Sequence, residues 1–465
     1  MAEMIEMRLR CWQQTEATHS TYFVEVDGIP ALPHEPTCLY WRAPNSAQPA
    51  MPPVVDSFVA AVALPCAAIG GVLKVEGKMS RSGLYNVNRL LQVRQEMSPE
   101  RYRPLRIEPE SVVDLPSTLV GNRNAILAFS GGVDSTHAAW INAANGDAAD
   151  RMRLTKLVLV HGFDAPLDRP DIFARMLERA RPLAQHFGVE LVGVETNAKS
   201  LSSYLWPHTA TPLAAAAINL FWQEAPFGIF GGGFNYNSNF LAQGHQPYFD
   251  QYCSNDAFTL LTDAGGVTRT EKLRNIAADP AMLTGLRVCW EGSDVSRNCG
   301  RCEKCITTML GMKVVGIDPR IAFDVDMDLA LLLVQKQRTL YQVRDLGEMI
   351  WNDVKSDPRF VAEAAVVRQA IAMGEPTRPY KVLKENLLRN FFSREMQPVV
   401  RRYVNALRLR WRSVKKGAAG VAVIIGIAAY HLGPLTLESV AESSPSDDSP
   451  SPIYEHLPAS ADKEV

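Results

Sequence analysis

Two short motifs carry the residue types that are best suited to chemistry. The first is SGGVDST at residues 130–136, which follows the apolar run AILAF and precedes a helical pattern. Its glycines let backbone amides approach a ligand closely, and these amides, the helix N-terminus and the hydroxyl groups together suit a pyrophosphate. Asp134 would repel a bare phosphate, so we expect it to hold Mg²⁺ against the phosphate oxygens. The Gly-Lys-Ser/Thr ending of a Walker loop is absent.

The second motif is a cluster of four cysteines, Cys289, Cys299, Cys302 and Cys305. In a reducing compartment clustered thiols indicate a metal site before they indicate disulfides. Four thiolates with two successive C-x₂-C steps favour a closed tetrahedral zinc site, in which backbone amides point at the sulfurs. An iron–sulfur cluster and unligated thiols are the alternatives. A site filled by four protein ligands has no open position, so its role would be structural.

The elements that must position these motifs alternate along residues 120–315. The apolar runs AILAFS, KLVLVHGF, ELVGVET and FGIFGGG are separated by the helical segments STHAAWINAA, IFARMLERARPLAQHFG and LAAAAINLFWQ. Strands that are nearly all apolar predict a parallel sheet with helices on both faces. Ligands of such sheets bind outside the carboxyl ends of the strands, so the candidate residues should follow strands.

The flanking regions predict further domains. Residues 1–119 predict an N-terminal α/β domain of unknown role, with strands over 7–12 and 21–27, a helix that opens at Asp56, a strand over VLKVEG and a helix over 81–96. Residues 316–416 predict a helical extension that ends in a basic arm. Residues 417–465 comprise an apolar segment and an acidic tail that we expect to be disordered.

The basic arm at residues 384–416 leads into GAAGVAVIIGIAAY. A spanning helix needs ~20 apolar residues, so this segment is marginal. The arm is expected to pack on the core or a partner protein, to attach to a membrane surface, or to bind nucleic acid phosphates.

The composition excludes several classes of protein. Of 465 residues, 47% are hydrophobic and 21% are charged, which is typical of a globular chain. The 48 basic and 50 acidic side chains give a formal charge of −2, so no global field attracts nucleic acid. The first residues lack the apolar core of a secretory signal, and a cytoplasmic protein is expected.

The two motifs together resemble the PP-loop ATP pyrophosphatase superfamily and, within it, 7-cyano-7-deazaguanine synthase. The resemblance covers about residues 125–310 and rests on SGGVDS after a strand and on Cys-x₉-Cys-Gly-x-Cys-x₂-Cys. It implies an adenine-nucleotide alpha-hydrolase-like, Rossmann-like fold, with ATP, Mg²⁺ and Zn²⁺ as cofactors. The implied activity is that of a ligase: ATP is split to AMP and pyrophosphate, and a carboxylate or amide is activated for nitrogen transfer.

The resemblance also implies roles for individual residues. It assigns Asp134, Lys272 and Arg269 to catalysis, the last two as cations for the phosphates; the alternative for the charged residues Arg269, Glu271 and Lys272 is an exposed helix start. The residues expected to bind ATP are Ser130, Gly131, Gly132, Val133, Asp134, Ser135, Thr136, His161 and Asp164. For the last two the alternative is a solvated strand end. The residues expected to bind the acceptor are His208, Asn235, Asn237 and Asp250.

The chain departs from the synthase in its substrate region and its length. The second strand of the 120–315 region ends in HGFD at 161–164, the Pro-x-Arg-Asn stretch is missing, and HTATP stands at 208–212. With these departures the chain resembles extended deazaguanine-synthase-like proteins, some of which occur in bacterial anti-phage gene clusters. We expect the acceptor to be a small molecule or nucleobase-like. We also expect a protein partner, and a chain that forms a homo-oligomer or belongs to a complex. A tRNA sulfur-transfer enzyme and a non-catalytic ATP-binding subunit are the alternatives.

Overall fold

The computed structural model describes residues 5–29, 37–116, 121–144, 151–233, 236, 247–263, 265–291, 294–334 and 350–374. The chain divides into two compact units, Met1–Pro376 and Thr377–Val465, and every described residue belongs to the first. The predicted basic arm, the apolar segment 417–435 and the acidic tail lie outside the described residues.

Strands and helices alternate along most of the described chain. The strands are β1 (Glu6–Thr15), β2 (His19–Asp27), β3 (Cys38–Pro44), β4 (Gly71–Ser80), β5 (Leu105–Val113), β6 (Asn124–Ala128), β7 (Arg153–His161), β8 (Glu190–Thr196), β9 (Phe227–Gly231) and β10 (Thr259–Asp263). The helices are α1 (Asp56–Ile69), α2 (Arg81–Met97), α3 (Val133–Ala144), α4 (Pro170–Phe187), α5 (Trp206–Asn219), α6 (Pro247–Asp250), α7 (Arg269–Ile276), α8 (Pro280–Thr284) and α9 (Glu303–Val314). Three further helices follow at Leu331–Val334, Asn352–Val354 and Val361–Gly374, and short 3₁₀ turns lie at Asn45–Ala47, Ala198–Leu205, Gln251–Cys253, Pro319–Ile321 and Pro358–Phe360.

Within the described residues the ten strands form one sheet in the order β10-β9-β6-β7-β8-β3-β2-β1-β4-β5. The five strands from β10 to β8 are parallel, and β3, β2 and β1 continue the sheet in antiparallel pairs before β4 and β5 add in parallel to β1. Numbered 1 to 5 along the chain, the parallel strands β6 to β10 follow the order 5-4-1-2-3 of a doubly wound sheet. The order in which strands are added reverses between β6 and β9. This sheet and its helices confirm the prediction of an α/β fold.

Both faces of the parallel strands are covered, which explains their apolar sequences. Along β6, Ile126 packs into the core that α1 and α5 cover, whereas Ala125 and Leu127 pack into the core beneath α3 and α9. The antiparallel strands differ, because in β1 the side chains of Met7 and Leu9 are buried while their neighbours are exposed. One face of that part of the sheet is therefore open to solvent, as its alternating sequence predicts.

One sheet contains strands from both sides of the predicted domain boundary at residue 119. β3 pairs with β8 at Trp41 and Thr196, and Asn197 donates to the carbonyl of Cys38 at 3.0 Å and accepts from the amide of Tyr40 at 2.9 Å. One buried core extends from β1 to β10 on the α1 and α5 face. The strands of residues 5–116 therefore share a sheet and a core with the strands that follow.

Candidate functional site

The SGGVDST loop lies at the point where the parallel sheet reverses its strand order. β6 ends at Ala128 and α3 begins at Val133, so the loop spans the gap outside the carboxyl end of the first parallel strand. Gly131 has φ 78°, a conformation that residues with a side chain rarely adopt. The hydroxyl of Ser135 accepts from the amide of Ser130 at 3.3 Å and donates to the carbonyl of Gly132 at 3.2 Å. These bonds close the loop at the helix N-terminus, where anions bind.

The end of β9 lies against the start of α3. A Cβ atom added to Gly231 would lie 2.4 Å from the carbonyl oxygen of Asp134 and 2.7 Å from the amide nitrogen of Ser135. Only a glycine permits this approach without moving one of the two backbones. The ends of β6 and β9 thus form the two sides of the candidate site, as expected for a doubly wound sheet.

Asp134 forms ion pairs with the two cations that the sequence assigns to catalysis. Its carboxylate accepts from Arg269 Nη1 and from Lys272 Nζ, each at 2.9 Å. The Arg269 and Lys272 side chains are only 8% and 1% exposed, so the alternative of an exposed helix start is wrong for these two residues, whereas Glu271 is exposed. Burial raises the pKa of Asp134, but the charges of Lys272 and Arg269 outweigh it and lower the pKa to about 2. Asp134 is therefore a carboxylate at neutral pH.

The local sequence around α7 positions these two cations. Thr268 caps the helix by accepting from the amide of Glu271, and the side chain of Glu271 accepts in return from the amide of Thr268. This capping box fixes the first turn of α7, so Arg269 and Lys272 project from a defined helix start. Lys272 also donates to the carbonyl of Gly232, just beyond β9. One lysine therefore contacts both sides of the candidate site.

Arg287 is a site residue that the sequence analysis missed. It lies outside both motifs, and its position two residues before Cys289 is the only signal in the sequence. Its side chain is 4% exposed. It donates to the carbonyl of Ser130 through Nη2 at 2.8 Å and Nε at 3.1 Å, and Nη2 also contacts the carboxylate of Asp164 at 2.5 Å.

His161 is the last residue of β7 and Asp164 follows the strand, but only Asp164 is linked to the loop, through Arg287. Burial raises the pKa of Asp164, but the charge of Arg287 outweighs it and the pKa is lowered, with Lys304 and Lys199 adding to the effect. His161 faces acceptors through both ring nitrogens, Glu195 at 3.3 Å and the carbonyl of Pro166 at 3.0 Å. Its ring also stacks on Phe173. Both nitrogens of His161 are thus engaged away from the loop.

Two of the predicted acceptor-binding residues, His208 and Asp250, have hydrogen-bond partners outside the SGGVDST loop. His208, at the start of α5, contacts the hydroxyl of Tyr102 through Nδ1 at 2.8 Å and Arg101 through Nε2 at 3.2 Å. Burial, aided by the charges of Arg94 and Arg101, lowers the pKa of His208 to about 3. Asp250 is buried and accepts from Thr262 at 2.7 Å.

Arg94 acts electrostatically on both His208 and Asp250. The structure therefore brings these two predicted residues together in a buried polar cluster beside the N-terminal region. His208 bonds to Tyr102 and Arg101, and Asp250 accepts from Thr262; none of these three bonds reaches the SGGVDST loop. Asn235 and Asn237 lie outside the described residues.

The four clustered cysteines converge as their spacing predicts. Their sulfur atoms all lie within 4.8 Å of one another. Cys289 and Cys302 are 3.9 Å apart and Cys299 and Cys305 are 3.8 Å apart, measured between Sγ atoms. A tetrahedral zinc ion with Zn–S bonds of ~2.3 Å requires sulfurs about 3.8 Å apart, so this cluster could bind a metal such as zinc. Sulfurs this close suit a single metal ion better than a multi-iron cluster.

Backbone amides support one of these sulfurs. The amides of Arg301 and Cys302 donate to Cys299 Sγ at 3.4 and 3.3 Å, and Gly300 between the ligands has φ 67°. Such bonds stabilise a thiolate and orient it toward an ion. α9 begins directly after Cys302, so the cluster fixes the start of that helix. Lys304, on its first turn, lies 6.0 Å from the ring of Trp290.

Comparison of the chain with protein-family models, with curated proteins and with solved structures found no match. In the part of the chain that the structure describes, no helix has the length and apolar character needed to cross a membrane.

Proposed function

We propose that the protein is an ATP-dependent, adenylate-forming enzyme of the PP-loop type. The observation that carries this proposal is the group of Asp134, Arg269 and Lys272 at the SGGVDST loop. A half-buried carboxylate between two buried cations, at a helix N-terminus and a strand-order reversal, is an arrangement suited to a phosphate chain and its magnesium ion. The resemblance of residues 125–310 to 7-cyano-7-deazaguanine synthase supports the same activity.

The charges of this group explain how it would receive a nucleotide. Without a ligand, Asp134 neutralises one of its two cations and partly screens the other. On binding of Mg-ATP, Arg269 and Lys272 would turn to the phosphate oxygens and Asp134 to the metal ion. The exchange replaces one set of ion pairs by another, so no buried charge loses its partner. The amides of the loop would complete the phosphate site.

The proposed reaction needs positioning and charge stabilisation more than covalent chemistry by the protein. A carboxylate oxygen of the acceptor attacks the α-phosphorus of ATP, the bond between the α-phosphorus and the α,β-bridging oxygen breaks, and magnesium pyrophosphate leaves. Arg269, Lys272 and the loop amides stabilise the charge that develops on the pyrophosphate. A nitrogen nucleophile then displaces AMP from the acyl adenylate. Nitrogen transfer, the fold family and the acceptor are all part of this proposal.

The cysteine cluster would serve this chemistry as a structural site. Zinc held by four thiolates supplies no open coordination position and instead crosslinks its ligands. Cys289, Cys302 and Cys305 are buried in the same core as α3 and α7, beside the loop. We propose that the metal-bound cluster orders the chain around these cysteines, which lies beside the SGGVDST loop.

The cysteines weigh against the sulfur-transfer alternative. All eight cysteines fall in the described residues, and four of them form the cluster. Of the others, Cys11 and Cys66 have a pKa raised by burial to about 12, and burial also raises the pKa of Cys38 and Cys253. A sulfur carrier needs a thiolate that reacts near neutral pH, which burial disfavours.

The test is the release of pyrophosphate and AMP from Mg-ATP by the zinc-loaded protein. The acceptors would include 7-carboxy-7-deazaguanine and other carboxylates and amides. We expect one class of acceptor to trigger release and Asp134→Ala to reduce its rate by about 10²-fold or more, as for other groups that stabilise transition-state charge. The control is Asp318→Ala, an exposed carboxylate that pairs with Arg320.

Two results would contradict the proposal. If ATP binds but no acceptor triggers release, the protein is a nucleotide-binding subunit without catalysis. If release persists in Asp134→Ala, the reaction takes place elsewhere on the molecule.

A further inference from the structure

The guanidinium of Arg287 lies between the cysteine cluster and the SGGVDST loop and bonds to both. On one side, Nη1 donates to the carbonyls of Cys289 and Val295, each at 3.0 Å. On the other side, Nη2 and Nε donate to the carbonyl of Ser130 at 2.8 and 3.1 Å. Because Cys289 is itself one of the four clustered cysteines, one side chain joins a candidate metal ligand to the candidate phosphate loop.

The main chain of the same residue strengthens the link. The amide of Arg287 donates to the carbonyl of Gly131 at 2.7 Å. Asn298, which precedes Cys299, accepts from the amides of Val288 and Cys289 at 2.8 and 3.3 Å. Arg287 is thus held in place by residues adjacent to two of the cysteines.

The geometry of the peptide bond gives this link a consequence for ligand binding. In a trans peptide the carbonyl and the amide point in opposite directions. Arg287 holds the carbonyls of Ser130 and Gly131 through its side chain and its own amide. The amides that follow each carbonyl, those of Gly131 and Gly132, are therefore directed away from Arg287, and the amide of Gly132 donates to the hydroxyl of Ser130 at 3.3 Å. These are the amides that a phosphate loop offers to its ligand.

We infer that Arg287 is a positioning residue that couples metal binding at the cysteine cluster to phosphate binding at the SGGVDST loop. A metal ion fixes the backbone at Cys289, this backbone fixes the guanidinium, and the guanidinium fixes the loop carbonyls. The inference rests on the proposed function, because it requires the loop to bind the phosphates of ATP. It goes beyond that function by making metal and nucleotide affinities depend on each other.

The chain offers a matched control for Arg287 in the same segment. Arg179, on α4, donates to the carbonyls of Leu286 at 3.0 Å and of Thr284 and Gly285 at 3.4 Å. These three bonds hold residues 284–286 from the side of α4 and do not reach the loop. Arg179→Lys therefore disturbs the anchoring of the segment, whereas Arg287→Lys disturbs the link to the loop. A lysine keeps the charge at both positions but cannot donate on two sides at once.

The experiment measures two affinities on zinc-loaded wild type, Arg287→Lys and Arg179→Lys. The ATP affinity is measured by calorimetry with Mg-ATP. The zinc affinity is measured by competition with a buffered chelator, with and without Mg-ATP. Binding of zinc by ATP itself is the same for all three proteins and cancels in the comparison.

Coupling between the sites is reciprocal and typically amounts to 5- to 150-fold. We expect Mg-ATP to tighten zinc binding about tenfold in the wild type and in Arg179→Lys, and less than twofold in Arg287→Lys. We also expect Arg287→Lys to weaken ATP binding about tenfold and Arg179→Lys to change it less than twofold.

The inference is overturned if Mg-ATP leaves the zinc affinity of the wild type unchanged when both titrations are compared at the same free zinc concentration, a comparison that needs no variant. It is also overturned if Arg287→Lys retains the wild-type coupling, or if Arg179→Lys loses it equally. These failures differ from failure of the proposed function. A wild type that binds ATP with full coupling but releases no pyrophosphate contradicts catalysis alone, and a wild type that binds no ATP contradicts both.

Discussion

At the scale of single residues, one carboxylate balances two buried cations. Arg269 and Lys272 are nearly inaccessible to water, and Asp134 is their shared partner. The charges of this group are stable only together, because removing one member leaves a buried charge without its partner. The same property makes the group suited to a ligand that carries several charges of its own.

This arrangement predicts a pH-dependent contribution of Asp134 to stability. The pKa of Asp134 is lowered from 3.8 to about 2 in the folded protein. A lowered carboxyl pKa stabilises the fold above the unfolded pKa, and the contribution disappears as the pH falls through the folded pKa. At ~1.4 kcal/mol per pKa unit, the contribution is about 2 kcal/mol.

We therefore expect Asp134→Asn to reduce the free energy of unfolding by about 2 kcal/mol or more between pH 5 and pH 8, with a difference that shrinks as the pH falls from about 4 toward 2. Urea unfolding at a series of pH values measures this difference. Asp318→Asn, on the exposed pair with Arg320, serves as the control and should change little. A difference between wild type and Asp134→Asn that does not vary with pH would show that the ion pairs contribute nothing.

At the scale of elements, the site depends on the contact between the end of β9 and the start of α3. Neither element carries the whole site, because α3 supplies Asp134 and the residue after β9 supplies the carbonyl that holds Lys272. Their distance is set by Gly231, which has no side chain to separate them.

The close contact between β9 and α3 predicts that Gly231→Ala weakens phosphate binding. The added methyl group would meet the backbone of Asp134 and Ser135 at under 3 Å, so the loop must move. Overpacking of this kind costs about 1–3 kcal/mol, and we expect the Kd for ATP to rise at least tenfold. Calorimetry with Mg-ATP measures this change.

Gly233→Ala is the matched control, because a Cβ atom at Gly233 meets nothing within 4 Å. Equal ATP affinities for the two variants would mean that the close approach of β9 and α3 has no part in the site.

At the scale of the whole molecule, the N-terminal strands and the parallel strands stabilise each other. Trp41 of β3 is fully buried, donates through Nε1 to the carbonyl of Leu213 in α5 at 3.2 Å, and packs on Phe58 of α1. A side chain from the first region thus lies in a core that the second region completes. Unfolding of one region would expose the apolar face of the other.

This shared core predicts one cooperative transition. Trp41→Ala should reduce the free energy of unfolding by about 3–5 kcal/mol. Zinc release, which reports on residues 289–305, and circular dichroism, which reports on the whole fold, should shift together in urea. Trp12→Ala, at a position that is 39% exposed, is the control and should shift neither midpoint by a comparable amount. Zinc release that keeps its midpoint in Trp41→Ala would show that the two regions unfold independently.

Features that depend on the pattern of neighbouring residues can be predicted from the sequence alone. The strands β6 to β9, the helices between them and the positions of the loop and the cysteines follow from periodicity and spacing, because both are properties of neighbouring residues. The N-terminal elements β1, β2, α1, β4 and α2 were predicted for the same reason. The strands β3, β5 and β10 were missed. β5 and β10 lack regular alternation of burial, and in β3 apolar residues occupy buried and partly buried positions alike, so its sequence does not alternate.

Contacts between residues far apart in the chain are visible only in the tertiary structure. It joined the N-terminal strands to the parallel sheet through two residue pairs between β3 and β8, which no local pattern encodes. It buried Arg269 and Lys272 against Asp134, whereas their sequence suits an exposed helix start equally well. It placed Arg287 between the cysteines and the loop, and it engaged His161 and His208 with other partners. The physical reason is that hydrogen bonds and ion pairs between residues far apart in the chain depend on how whole elements pack, and charge or residue type alone does not fix that packing.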